Sequence, residues 1–289
     1  MTDAIPDGHS QHCPRRSARR DVVLWAVLVA SFGIKAGLVA ATHDSPLVLD
    51  ETEYVQQART IAQQGRYVGT FRPPLYSASL AGVLLLGGTL VHVKLAQVLL
   101  STLTVVFVYR MARRTVGLQA ARAAAVLCAL DPVLITFTHH IWSETVYIFL
   151  FAATADLMTS DVTWRHRWPW LIVGALLGLA GLTRPMILSF APLMVVWTLL
   201  QTHRQADPGP AHAESTTTRK WPTGFMRIAL LTLGCILIVL PWTLRNARVT
   251  GAFVLVDTNG PFNLLVGSQR AAAFVDKDDF WSFRYGQVG

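Results

Sequence analysis

Charge is scarce in this sequence. Asp, Glu, Lys and Arg make up 15% of 289 residues, where a soluble domain carries about a quarter, so water cannot be the solvent for most of the chain. Cysteine is scarcer still. The three present, Cys13, Cys128 and Cys235, lie in a basic tail and two apolar runs, and their spacing suggests neither a disulfide framework nor a metal knuckle. A Gly-rich nucleotide-binding loop is lacking, as is any internal repeat. A cleavable leader is lacking too: Arg15-Arg16-Ser17-Ala18-Arg19-Arg20 runs into an apolar stretch, Val22 to Ala41, that is too long for a signal core and has no small-residue cleavage site.

Apolar residues are abundant. They reach 52%, mean hydropathy is +0.41, and the runs recur along the whole chain, which predicts an all-α, polytopic membrane protein. The formal charge of +8 comes as short basic clusters between apolar runs. That is a topological pattern, not a nucleic-acid footprint, and it assigns the chain to a cell membrane.

Length and charge together predict seven spans. The first covers 22–41, and the basic tail 1–20 holds the N-terminus in the cytoplasm. The second is the run Val91–Tyr109, which ends on the cluster Arg110-Met111-Ala112-Arg113-Arg114. If the run Leu75–Leu90 also crossed, that cluster would fall outside. This run starts at Pro73-Pro74 and carries three glycines, so it reads as an interfacial or re-entrant helix on the outer face, in a first outer loop with helices over about 42–90. Spans at 118–137, 141–158, 168–182, 186–200 and 225–242 then alternate. The polar stretch 201–224 forms a cytoplasmic loop, residues 21–244 form the membrane module, and 245–289 is an extracytoplasmic segment. Lys35 lies near enough to the outer end of the first span to snorkel.

The polar chemistry gathers at the outer ends. Asp50 and Glu51 sit at a predicted helix start, where a carboxylate can deprotonate a hydroxyl or hold a metal; Asp50 with Glu53 also approximates a capping box. Tyr54, Ala58 and Ile61 share one helical face. Arg72, fixed before the double proline, suits the oxygens of a lipid-borne phosphate as well as it suits an interfacial anchor. Glu144 begins a span, and an acid at membrane depth is a candidate by default. Arg184 occupies a short outer turn, and Arg245-Asn246 follows Leu240-Pro241-Trp242. His139 and His140 are adjacent, so helical geometry makes their rings diverge by about 100°, which disfavours a shared metal. Two carboxylates and three arginines at one face outline an anion site at headgroup level.

Four stretches, Asp50-Glu51-Thr52-Glu53-Tyr54 with Ala58-Arg59, Arg72-Pro73-Pro74-Leu75-Tyr76, Trp142-Ser143-Glu144-Thr145 and Pro241-Trp242-Thr243-Leu244-Arg245-Asn246 with Gly251-Ala252-Phe253-Val254, resemble the GT-C glycosyltransferases. The similarity is to the family 39-like group, which includes protein O-mannosyltransferases and the lipid A aminoarabinose transferase, and it runs from about residue 20 onward. It implies a GT-C-like helical bundle that transfers a sugar from a polyprenyl-phosphate-linked donor to a protein, lipid or glycan acceptor on the extracytoplasmic side, with inversion. It makes Asp50 the general base, with Glu51 the second catalytic residue. Arg72 and Arg184 would neutralise the leaving phosphate, and Tyr54, Glu144, Arg245 and Asn246 complete the substrate-binding set. Asp50, Glu51 or Glu144 could hold a divalent metal; no other cofactor is implied. Such proteins usually run well beyond 289 residues, so a fragment, a truncated product or a short member holding the catalytic half is expected. Two other readings stay open: a non-catalytic paralogue, and a transporter of a lipid-linked anion, which would place its charges near the bilayer midplane.

Overall fold

The computed structural model describes residues 21–48, 50–206 and 221–260. The expected basic tail, the core of the cytoplasmic loop, most of the C-terminal segment and Cys13 lie outside the described residues. Eleven α-helices follow in chain order: α1 (Val22–Ala41), α2 (Asp50–Gln64), α3 (Pro74–Leu85), α4 (Leu90–Thr115), α5 (Leu118–Leu130), α6 (Pro132–His139), α7 (Glu144–Met158), α8 (Asp161–Arg165), α9 (Pro169–Gly181), α10 (Ala191–Ala206) and α11 (Trp221–Thr250), with a 3-10 turn at Pro185–Phe190 before α10. No strand occurs among the described residues.

Local sequence sets the helix boundaries. Asp21 caps α1, accepting from Val23 N at 3.1 Å. Proline opens α3, α6 and α9 at their first or second position, where its missing N–H costs nothing. The expected span 118–137 is broken at Asp131-Pro132, bending by 46°. Pro132 cannot continue α5, and the Asp131 carboxylate instead caps α6 through Val133 N and Leu134 N, both at 2.9 Å. Proline inside α11 does not stop that helix. It passes Pro241 and ends at Thr250, where Gly251, at φ 68°, donates to Ala247 O at 2.9 Å in the left-handed conformation that closes helices. Arg245 and Asn246 therefore lie on its last turns, not beyond it.

Among the described residues, four helical segments are long and apolar enough to cross a bilayer: Val22–Ala41, Leu90–Thr115, Pro185–Thr202 and Gly224–Thr250. The α5–α6 pair makes a fifth if counted as one bent span. Trp25, Val29, Leu99, Leu103, Leu193, Val196, Ile236 and Leu237 on these segments are exposed, which fits lipid contact rather than water. Two of the seven expected spans are shorter helices, α7 with 15 residues and α9 with 13, or about 22 and 20 Å against the roughly 30 Å hydrocarbon core. α3, at 12 residues, is about 18 Å long.

Packing forms three main clusters. Tyr54, Val55, Ala58, Tyr76, Leu80, Val93 and Ile141 join α2 and α3 to α4 and to the turn between α6 and α7. Trp170, Val173, Leu177 and Leu231 centre the α7–α9–α11 group, and Leu24, Val105, Tyr109 and Ala125 join α1, α4 and α5. The α9–α11 pair is the most extensive helix contact and its approach is glycine-dependent. A Cβ on Gly174 would sit 1.9 Å from Leu231 O, and one on Gly234 would sit 2.2 Å from Leu171 O.

The bundle has two polar ends. At one, Asp21 accepts from Tyr109 Oη at 2.6 Å and pairs with Arg122 at 3.1 Å, while buried Asp156 pairs with Arg110 at 3.2 Å and Arg114 at 2.9 Å. Arg227 of α11 donates to Trp164 O at 2.7 Å beside this group. The other end carries the candidate site. Lys35, expected to snorkel, is instead fully buried between α1 and α4, donating to Ser31 Oγ and Ser101 Oγ at 2.9 Å each; two hydroxyls hold the ammonium inside the bundle.

Candidate active site

α2 opens at Asp50, so Asp50 and Glu53 stand one turn apart on the same face. Arg72 reaches both. Its Nη2 lies 2.6 Å from Asp50 Oδ1 and its Nε 2.8 Å from Glu53 Oε2. The pair read as a capping box is thus an acidic clamp on Arg72. The guanidinium lies over the rings of Tyr54 (5.3 Å) and Phe71 (5.4 Å) and is 13% exposed, so it is no snorkelling anchor. Burial opposes its charge, but Tyr54, Asp50 and Glu53 outweigh that and hold it firmly protonated. The Asp50 side chain remains 43% exposed and within reach of an arriving molecule.

Glu51 points away from Asp50, turned by the roughly 100° that separates consecutive residues on a helix. It is 3% exposed. Its carboxylate accepts from Ile141 N at 2.7 Å, meets His140 Nδ1 at 3.1 Å and accepts from Val48 N at 2.8 Å. Three donors at these distances satisfy it and fasten the start of α2 to the turn between α6 and α7. Gln97 fastens the same turn, donating to Thr138 O at 3.2 Å and His140 O at 2.7 Å while accepting from Tyr76 Oη at 2.6 Å. The histidine rings do not diverge as expected: α6 ends at His139, His140 is extended (φ −89°, ψ 148°), and the centroids lie 4.2 Å apart.

The turn delivers Ser143 and Glu144. Arg184, extended before Pro185 as a pre-proline residue should be, pairs with Glu144 and donates through Nε to Ser143 Oγ at 3.3 Å. Tyr54 Oη donates to the same Ser143 Oγ at 3.3 Å. A backbone bond from Leu75 N to Leu182 O at 3.0 Å ties the segments that carry the two arginines. Asp50, Arg72, Tyr54, Ser143, Arg184 and Glu144 therefore form one continuous chain of contacts.

Arg245 and Asn246 serve the neighbouring backbone. Arg245 donates to Gly69 O at 2.7 Å and Tyr67 O at 2.6 Å, with Trp242 4.7 Å beneath it. Asn246, fully buried, donates to Val254 O at 3.3 Å and Val256 O at 2.9 Å. Trp242 Nε1 also donates to Val256 O, at 2.8 Å, and Thr243 to Leu255 O at 2.7 Å. These bonds lay residues 254–258 against the Arg72 loop, where Thr258 N meets Thr70 O at 2.9 Å. That brings up Asp257, which the sequence reading missed. Burial lifts its carboxyl to about 6, against the opposing pull of the Gly260 N–H and Arg72. Glu53, three residues after Asp50, was legible as its partner; Ser143 and Asp257 carry no local signal.

Among the described residues no group of three or more His, Cys, Asp or Glu side chains gathers to hold a metal. Of the carboxylates considered for one, Asp50 faces Arg72, Glu144 faces Arg184, and Glu51 faces three hydrogen-bond donors.

Residues 71–213 match the family model described as dolichyl-phosphate-mannose-protein mannosyltransferase. No curated protein and no solved structure matches the chain. The matched stretch holds Arg72, Ser143, Glu144 and Arg184, while Asp50, Glu51, Tyr54, Arg245 and Asn246 lie outside it. Through residues 71–213, a stretch that carries both arginine-bearing segments, the chain matches a family of the GT-C superfamily.

Proposed function

We propose that this membrane glycosyltransferase of the GT-C type takes its sugar from a polyprenyl-phosphate-linked donor and passes it to a protein, lipid or glycan acceptor on the extracytoplasmic face. The supporting observation is the pairing of an exposed carboxylate, Asp50, with Arg72 at 2.6 Å, beside a second arginine–carboxylate pair one serine away.

In this reading the acceptor hydroxyl gives its proton to Asp50 as its oxygen bonds to the anomeric carbon. The bond from that carbon to the phosphate oxygen breaks on the opposite face, inverting the centre. The electron pair leaves with the polyprenyl phosphate, and Arg72 and Arg184 balance the growing charge. Fixed charges aimed at a developing anion are usually the largest catalytic contribution. Glu144 holds Arg184 and faces the sugar or acceptor. Glu51 acts by fastening the α6–α7 turn, and Arg245 and Asn246 by fastening the Arg72 loop. A seven-pass arrangement with a cytoplasmic N-terminus belongs to the same proposal: the arginine-rich end of the bundle faces the cytoplasm, which puts the site outside. The transporter reading has less support, because the two arginine–carboxylate pairs lie at one end of the bundle.

Purified protein in lipid nanodiscs, offered one radiolabelled sugar on either a polyprenyl phosphate or a nucleotide, tests the donor class. Transfer from the lipid-linked sugar alone is expected; transfer from the nucleotide sugar alone would overturn the proposal.

A further inference from the structure

Ser143 stands at the first turn of α7, where serine usually caps the helix, yet its hydroxyl makes no cap bond and its backbone is already helical (φ −71°, ψ −13°). The side chain, 1% exposed, turns toward the site. Tyr54 Oη and Arg184 Nε each donate to it at 3.3 Å, and Arg72 lies over the Tyr54 ring at 5.3 Å. The phenol therefore sits between two guanidinium groups that would otherwise repel each other, with Ser143 fixing its direction. Ser143 is thus the shared acceptor that couples Tyr54 to Arg184.

We infer that Ser143 is a positioning residue: through Tyr54 it sets the separation of Arg72 and Arg184 so that one phosphate group spans both. The inference rests on the donor-phosphate reading above and adds a positioning residue to it. The ligand chemistry is a phosphomonoester or phosphodiester on a lipid chain. Burial pushes the Tyr54 phenol up, so the hydroxyl remains a donor across the working range.

The test titrates full-length protein in nanodiscs with a sugar-free polyprenyl monophosphate and reads binding by thermal shift. Ser143→Ala weakens binding about tenfold, the size of one lost hydrogen bond. Tyr54→Phe removes the same bond from the other side and does the same, and the double variant loses no more than either single. Ser143→Thr keeps the hydroxyl and restores binding, which a purely space-filling role for Ser143 does not predict. Unchanged binding in Ser143→Ala, beside a clear loss in Arg72→Ala, overturns the inference and leaves the donor reading standing; additive losses in the double variant also overturn it. Unchanged binding in Arg72→Ala, or wild type that ignores the lipid, removes the donor reading and the inference with it. If Ser143→Ala fails to fold, Tyr54→Phe carries the comparison.

Discussion

Asp50 and Glu51 are neighbours with opposite uses, and the helix decides which is which. A step of about 100° between consecutive residues sends Asp50 to Arg72 at the surface and Glu51 into the bundle against the 140–141 backbone. The acidic pair is visible in the sequence, but its division of labour is not, because the partner turn lies about 90 residues away. Asp257 was less legible still; only the folding of residues 254–258 onto α11 and Thr70 brings it near Arg72. Its carboxyl, raised to about 6 from 3.8, holds its proton longer in the folded state than in the unfolded one. The folded state therefore loses stability as pH rises from about 4 to about 6 and carries the cost of a half-buried anion above that. Asp257→Asn keeps the acceptor oxygen and is expected to raise the melting midpoint at about pH 7.5, with the gain vanishing near pH 4. A midpoint gain of equal size at both pH values would contradict this origin.

Among elements, those with strong local signals were the most readable. α1 covers the expected 22–41, and the expected run 91–109 lies within α4, which continues through the Arg110–Arg114 cluster to Thr115. The double proline starts the 12-residue helix α3. Signals misled where the bundle overrides them. The last span was expected to end at about 242, yet α11 runs on to the glycine at 251, whose positive φ is the stop. Asp131-Pro132 sat inside an expected continuous span and divides it instead. The α9–α11 crossing shows why such outcomes are tertiary: two backbones approach closely enough that only hydrogen fits at Gly174 and Gly234. Gly174→Ala is expected to cost about 1–3 kcal/mol by forcing the helices apart, measured as a lowered denaturation midpoint in detergent. Gly33→Ala on α1, with nothing within 4 Å of an added Cβ, is the control and should be neutral or stabilising. Equal effects at the two positions would deny the close crossing its role.

At the scale of the molecule, charge and packing tell one story. Arg110, Arg114, Arg122 and Arg227 gather at one end on Asp21, Asp156 and a carbonyl of Trp164. Arg72, Arg184 and Arg245 gather at the other on Asp50, Glu53, Glu144 and loop carbonyls. The first set holds the bundle closed. The second leaves Asp50 accessible, and that asymmetry supports the proposed site. The count of crossings was the least readable feature, since α7, which carries Glu144 and Asp156, and the apolar α9 are both shorter than the bilayer is thick. The central claim is that Asp50 takes the acceptor's proton. Sugar transfer from a polyprenyl-phosphate donor by Asp50→Asn, beside wild type of equal melting midpoint, tests it most directly. A fall of about 10²–10⁴ in kcat with folding intact is the predicted result, and transfer at the wild-type rate would contradict it.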